Sequence, residues 1–123
     1  MQQTPATARY AKGQVWEYRT RRCDEGSLLK IQKVEPYPSA DGDDYAYHLS
    51  VIGVRLGEPA RMTEICHVPV SSATLDASVT NLSTSRPDFP DPDEGISIWR
   101  DDEGGIFDIA MADVVQCLDE TSS

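Results

Sequence analysis

The sequence predicts an α+β domain: a curved antiparallel sheet of four to five strands, with a mid-chain helix and a C-terminal helix packed on one face. Three observations predict it. Segments with strand-type alternation, rich in β-branched and aromatic residues, fill most of the chain up to Val70. An apolar stripe then repeats at i, i+4 and i+7 through Leu75, Val79 and Leu82. A second stripe, Met111, Val114, Val115 and Leu118, closes the chain. A run of strands followed by helices belongs to the α+β class.

The elements follow in order. Residues 14–20, Gln-Val-Trp-Glu-Tyr-Arg-Thr, alternate as a half-buried strand, with Trp16, Tyr18 and Thr20 on one face and Glu17 and Arg19 on the other. Asp24-Glu25-Gly26 supplies turn chemistry. Leu28 to Val34 returns as the second strand of a hairpin, and Pro36 and Pro38 are expected to end it before an exposed Asp41-Gly42-Asp43-Asp44 loop. Tyr45 to Leu56 is the longest strand candidate, with Gly53 marking a bulge or a close backbone approach. Met62 to Val70 is a fourth strand, shortened by Pro69. Ser71 and Ser72 are natural N-caps for a helix carrying the Leu75–Val79–Leu82 stripe, and Asp76 lies near its positive end.

Pro87, Pro90 and Pro92 make Ser83 to Glu94 a loop, and Gly95 to Asp102 holds a short helical turn around Ile96 and Trp99. Ile106 to Ile109 reads as a brief fifth strand, and Ala110 to Glu120 as the closing helix. The domain is expected over residues 13–120, after a flexible N-terminus (1–12) and before a short tail (121–123).

A chain of 123 residues is one domain's worth and buries enough surface to fold without staples. No stretch approaches the roughly 20 apolar residues of a membrane helix. Met1 to Tyr10 lacks the apolar block of a secretory signal. Cys23, Cys66 and Cys117 are scattered and odd in number, as reduced thiols would be. Together these predict a cytoplasmic protein with no membrane partner.

The formal net charge is −10, and its placement is uneven. Residues 1–34 carry seven basic groups against three acidic ones, whereas residues 87–123 carry Arg100 alone against eleven acids. Such crowding of one sign is tolerated for solubility or for a cationic partner.

Gly13-Gln14-Val15-Trp16-Glu17-Tyr18-Arg19-Thr20-Arg21, His48-Leu49-Ser50 and His67-Val68-Pro69-Val70-Ser71 together resemble a family of small uncharacterised bacterial proteins with a Gly-x-Val-Trp-x-Tyr-x-Thr-Arg-like N-terminal strand. The likeness runs from about Gly13 to the last helix. No activity attaches to that family, so the resemblance implies a fold and no catalytic residue. Arg22-Cys23-Asp24 stands where the family has a Pro-Gly-type turn.

Histidine, thiol and carboxylate side chains each offer a chemistry, and each also has a plainer structural role. His48 and His67 lie on strands that can be neighbours, and paired imidazoles hold metals or move protons, but a third ligand with metal-type spacing is missing. Cys66 adjoins His67, yet consecutive strand residues face opposite ways. Cys23 beside Arg21 and Arg22 is a candidate thiolate, while Cys117 on the flank of the last stripe reads as a packing residue. The Asp91-x-Asp93-Glu94-Gly95 cluster lacks the calcium-loop order, and no nucleophile elbow, phosphate loop or paired-carboxylate spacing occurs. Arg19, Arg21, Lys30 and Lys33 can share a basic face near Trp16 and Tyr18, but the molecule as a whole repels polyanions, which speaks against nucleic acid.

The strongest remaining feature is the acidic belt Asp88, Asp91, Asp93, Glu94, Asp101, Asp102 and Glu103, beside Ile96 and Trp99 as candidate exposed anchors. Charge around an aromatic anchor suits docking on a basic protein, with a core Trp99 as the plainer alternative. The sequence therefore points to a non-catalytic acidic binding domain, such as an immunity or inhibitor protein for a basic toxin or nuclease, with no cofactor. The alternatives are a small metal- or ligand-binding enzyme using His48 and His67, and a structural subunit of a larger bacterial assembly.

Overall fold

A computed structural model describes residues 10–39, 42–57 and 60–122. Among the described residues, five antiparallel strands form one open sheet: β1 (Val15–Tyr18), β2 (Leu28–Ser39), β3 (Gly42–Leu56), β4 (Arg61–Val70) and β5 (Val79–Leu82), in the order β4-β3-β2-β1-β5. Three α-helices accompany it there: α1 (Ser72–Ser78), α2 (Asp93–Asp101) and α3 (Met111–Ser122), with a 3-10 turn at Arg22–Asp24. This is the predicted α+β class. Among the described residues, no helix is long and apolar enough to cross a membrane.

The sheet has two chemically different sides because side chains alternate along each strand. Tyr47, Leu49 and Val51 of β3 join Leu29 and Ile31 of β2 and Val68 and Val70 of β4 on one side. Leu75 of α1 and Met111, Val114 and Val115 of α3 close over them, so the predicted stripe of the last helix is buried where expected. The intervening residues His48 and Ser50 turn to the opposite side, which α2 covers. α2 therefore does not share a layer with α1 and α3.

The long β2–β3 ladder runs from the Leu28–Ile52 pair to the Ser39–Gly42 pair. Pro36 and Pro38 do not end it. Among the described residues β1 pairs with β2 at Leu28, Leu29 and Lys30, and Ile31 bonds the backbone of Gly13 and Gln14, so that edge is open beyond Ile31. A missing N–H on an open edge breaks no ladder bond. The expected acidic loop is correspondingly shortened, since Gly42, Asp43 and Asp44 pair in the ladder; Ala40 and Asp41 lie outside the described residues. Gly53 is a bulge as expected. The β3–β4 register shifts between Ile52 and Val54, Gly53 has φ +78°, and a Cβ there would lie 3.3 Å from the Ser27 backbone.

The middle of the chain differs most from expectation. Ser71 caps α1 as predicted, its hydroxyl accepting from Thr74 N–H at 3.2 Å, but the helix stops at Ser78. Val79 and Leu82 belong to β5, an edge strand that pairs with β1 through Trp16–Leu82, Glu17–Asn81 and Tyr18–Val79. The open edge of β1 outweighs an apparent helical stripe, and β-branched Val79 and Thr80 suit a strand. Leu82 is 55 % exposed, so no apolar stripe continues to it. The predicted strand at Ile106–Ile109 reduces to a single parallel bridge between Phe107 and Val70, with Ile109 exposed. Within β1, Val15 and Tyr18 are buried and Trp16 half-buried, because a register shift after Glu17 breaks strict alternation.

Tyr10, within the segment expected to be flexible, is buried edge-on to Trp16 and Tyr47. At the far end α3 runs on to Ser122.

Candidate functional site: a histidine pair beneath an acidic helix

The polar side of the sheet carries a hydrogen-bonded layer under α2. His48 and Pro69 are paired across β3 and β4, which places His67, two residues back along β4, on the same side. The two imidazoles stack at 4.9 Å between centroids with 23° between planes, and His48 Nδ1 lies 2.7 Å from His67 Nε2. His48 Nε2 reaches Glu35 Oε1 at 3.1 Å, and the same oxygen accepts from Arg100 at 2.7 Å. Trp99 meets His48 edge-to-face at 4.7 Å, and its indole N–H donates to the Gly105 carbonyl at 2.9 Å.

The network fixes the tautomers. A carboxylate already receiving the Arg100 guanidinium accepts from His48, so Nε2 of His48 carries the hydrogen. The bare Nδ1 of neutral His48 then accepts from His67 Nε2–H, which leaves the lone pair of His67 on Nδ1. Burial pushes His48 below the ordinary imidazole value despite the opposing pull of Glu35. His67 is pushed down to about 4, first by burial and then by the charge of His48. Both rings are therefore neutral at pH 7. His48 is fully buried and has both nitrogens engaged, so it orients its neighbours and offers no free lone pair.

A second set of polar contacts holds the Pro-rich approach to α2. The Ser50 hydroxyl donates to the Cys66 carbonyl at 2.8 Å and lies 3.1 Å from the Pro90 carbonyl. Gln32, the extra residue at a β2 bulge, donates to Ser50 Oγ at 3.1 Å and lies 3.3 Å from the Pro90 carbonyl. Glu35, Gln32, Ser50 and Arg100 were not among the residues singled out from sequence. The signal available for Ser50 was its polar phase with His48 within an otherwise apolar strand, which marks a second, covered face.

The seven predicted acids are all exposed, on α2 or the segments flanking it. Asp88 and Asp91 precede the helix, and the Asp91 carboxylate accepts the Asp93 N–H at 2.8 Å. Asp93 and Glu94 occupy its first turn, where the helix dipole favours them. Asp101, Asp102 and Glu103 follow at its end. The remaining acids of the C-terminal third sit elsewhere: Asp108 accepts from Ser71 at the start of α1, and Asp113, Asp119 and Glu120 belong to α3.

The expected anchors are corrected. Ile96 is 5 % exposed and turned toward the sheet, and Trp99 is half-buried against His48 and Tyr37, with Gly104 packed on its ring. Ile98 is the exposed apolar residue of α2, at 55 %. Glu94, Ser97, Ile98 and Asp101 recur at helical spacing and are all exposed, so they form the outward face.

The basic residues and thiols also divide. Arg21 is a structural hub, gripping Asp24 at 2.6 and 3.2 Å, Asp119 at 3.0 Å and the Arg55 carbonyl at 2.6 Å. Arg19 donates to the Ala77 carbonyl. The Cys23 thiol donates to Asp24 at 3.5 Å, and the neighbouring Arg21 is committed to carboxylates. Cys66 and Cys117 are exposed, so Cys117 is not a packing residue of the last stripe. Among the described residues no three His, Cys, Asp or Glu side chains come together as a metal site.

No protein-family model, no curated protein and no solved structure matches this chain.

Proposed function

We propose that the protein is a non-catalytic acidic binding domain that docks a basic partner protein through the outward face of α2, in the manner of an immunity or inhibitor protein set against a cationic toxin or nuclease. The observation that carries this reading is Ile98, an exposed apolar side chain on a helix face shared with Glu94 and Asp101 and flanked by Asp91, Asp93, Asp102 and Glu103. Carboxylates steer a cationic surface toward the helix, and burial of an apolar centre supplies affinity that screened surface charge does not. The polar layer beneath α2 supports the reading, because a helix held at Gly95, Trp99 and Arg100 presents its outer face with little loss of freedom on docking.

The test is capture from the lysate of the native cell on immobilised protein, comparing wild type with two variants. A basic protein retained by wild type, lost with Asp91, Asp93, Asp101 and Asp102 all changed to Lys, and weakened by Ile98→Asp, supports the proposal. Retention unchanged by both variants sinks it.

A second reading, a small metal- or ligand-binding enzyme, rests on His67, whose Nδ1 keeps its lone pair while its Nε2 is held 2.7 Å from His48 Nδ1. Elemental analysis of untagged protein, with His67→Ala as the control, separates it from the first.

A further inference from the structure

Beside the N-terminal end of α2 lies a groove of about 510 Å³ that gathers three lysines next to the acidic start of the helix. Lys12, from the segment preceding β1, and Lys30 and Lys33, from β2, line it together with Phe89 and Pro90. The β2 bulge at Gln32 brings Lys33 into register with His48, so Lys30 and Lys33 both serve the side of the sheet that α2 covers. Lys30 holds its ammonium 5.9 Å from the centre of the Phe89 ring.

Asp91 and Asp93 also line the groove, yet among the described residues none of the three ammonium groups forms an ion pair with a carboxylate. Asp91 is turned to the first turn of α2, where it accepts the Asp93 N–H. Three cations thus share one concavity in a chain whose net charge is −10. A concave wall of low dielectric focuses such a field, and like charges held together are relieved by an anion. The size falls within the roughly 300–1,000 Å³ of small-molecule sites. An aromatic face beside a cation cluster selects a ligand that has both an anionic group and a flat apolar part.

We propose that this groove binds a small organic anion, an aromatic body bearing phosphate or carboxylate, with Lys12, Lys30 and Lys33 holding the charge and Phe89 the ring. Asp91 and Asp93 border both the groove and the outward face of α2, but Lys12, Lys30, Lys33 and Phe89 belong to the groove alone, and binding there does not depend on the docking of a protein.

Isothermal titration with 1-naphthyl phosphate, 1-naphthoate and inorganic phosphate tests it. Both naphthyl probes are expected to bind saturably, and more tightly than inorganic phosphate. Affinity should weaken as salt is raised, because the contacts are ionic. Replacing two lysines, Lys30→Gln with Lys33→Gln, should weaken both naphthyl probes by about tenfold or more, as loss of charge-assisted bonds does. Phe89→Ala should weaken the naphthyl probes while leaving inorganic phosphate unchanged. Urea midpoints of the variants confirm that each remains folded. Absence of saturable binding by any probe at millimolar concentration overturns the proposal, as does binding indifferent to the lysine changes. A single-stranded oligonucleotide that binds far more tightly than the naphthyl probes and displaces them assigns the groove to nucleic acid and overturns it too.

Discussion

Gly95 of α2 lies so close to His67 of β4 that no side chain fits between them: a Cβ on Gly95 would come within 2.5 Å of the His67 Cβ and 3.0 Å of its ring. The colliding atom is the root of a side chain and cannot swing aside, so the helix or the strand must move. In an isolated helix Gly→Ala gains about 1 kcal/mol from propensity. Here the overlap outweighs that gain, and Gly95→Ala is expected to destabilise the fold by about 1–3 kcal/mol. Urea unfolding measures it, and an unchanged or raised midpoint would show that α2 is not seated on His67.

Both histidines have folded pKa values below the ordinary 6.5, His67 at about 4. Between those values the unfolded chain binds more protons than the native one, so stability rises with pH through the window. The contribution is fully present above pH 6.5 and is lost as pH falls toward 4. Melting temperature should accordingly decline across this range, and His67→Gln, which cannot ionise, should flatten the decline. Asp119 is held below its usual carboxylate range by the Gly57 N–H and by Arg21, so its effect falls in a separate, more acidic window.

Arg21 is expected to be worth more than an ordinary surface arginine. Its partner Asp24 is 1 % exposed, and it also accepts the Arg55 N–H at 2.9 Å. Arg21→Ala leaves a buried carboxylate without its cation and should cost about 3 kcal/mol. Arg21→Lys should recover only part of this, since an ammonium cannot grip both oxygens of Asp24 while reaching Asp119. Denaturant midpoints of the two variants decide it; equal midpoints for Lys and wild type would reduce the role of Arg21 to a single charge.

The two faces of α2 should respond differently to mutation. Ile98→Asp, on the outward face, should leave stability within about 0.5 kcal/mol of wild type. Trp99→Ala removes contacts with His48 and Tyr37 and should cost at least about 2 kcal/mol. Comparable losses for both would mean that Ile98 is covered.

Much of the sheet was legible because alternation and turn chemistry report local facts. Tyr45 to Leu56 read as a strand, Gly53 as its bulge, Ser71 as a cap and Met111–Leu118 as a buried stripe. The errors share a cause: each was decided by a neighbour distant in sequence. Val79 is extended because β1 needs a partner, and Pro36 lies in a strand because that edge of β2 is unpaired. At the site, His48 and His67 were legible as a possible pair, but Glu35 and Arg100, which complete the chain of contacts, come from elements with no mark of shared purpose. Trp99 and Ile98 are adjacent, and only the rotation of α2 on the sheet decides which one faces water.

The grip of Arg21 on Asp119 closes a loop of 98 positions. Contacts of that span form late, after shorter ones have ordered the chain. Until α3 is in place, Arg21 and Asp24 hold only each other and the backbone of Arg55 on β3, and the bond to Asp119 is added last. A chain cut before α3 is expected to leave the Tyr47, Leu49 and Val51 side of the sheet without Met111, Val114 and Val115, an apolar face prone to self-association.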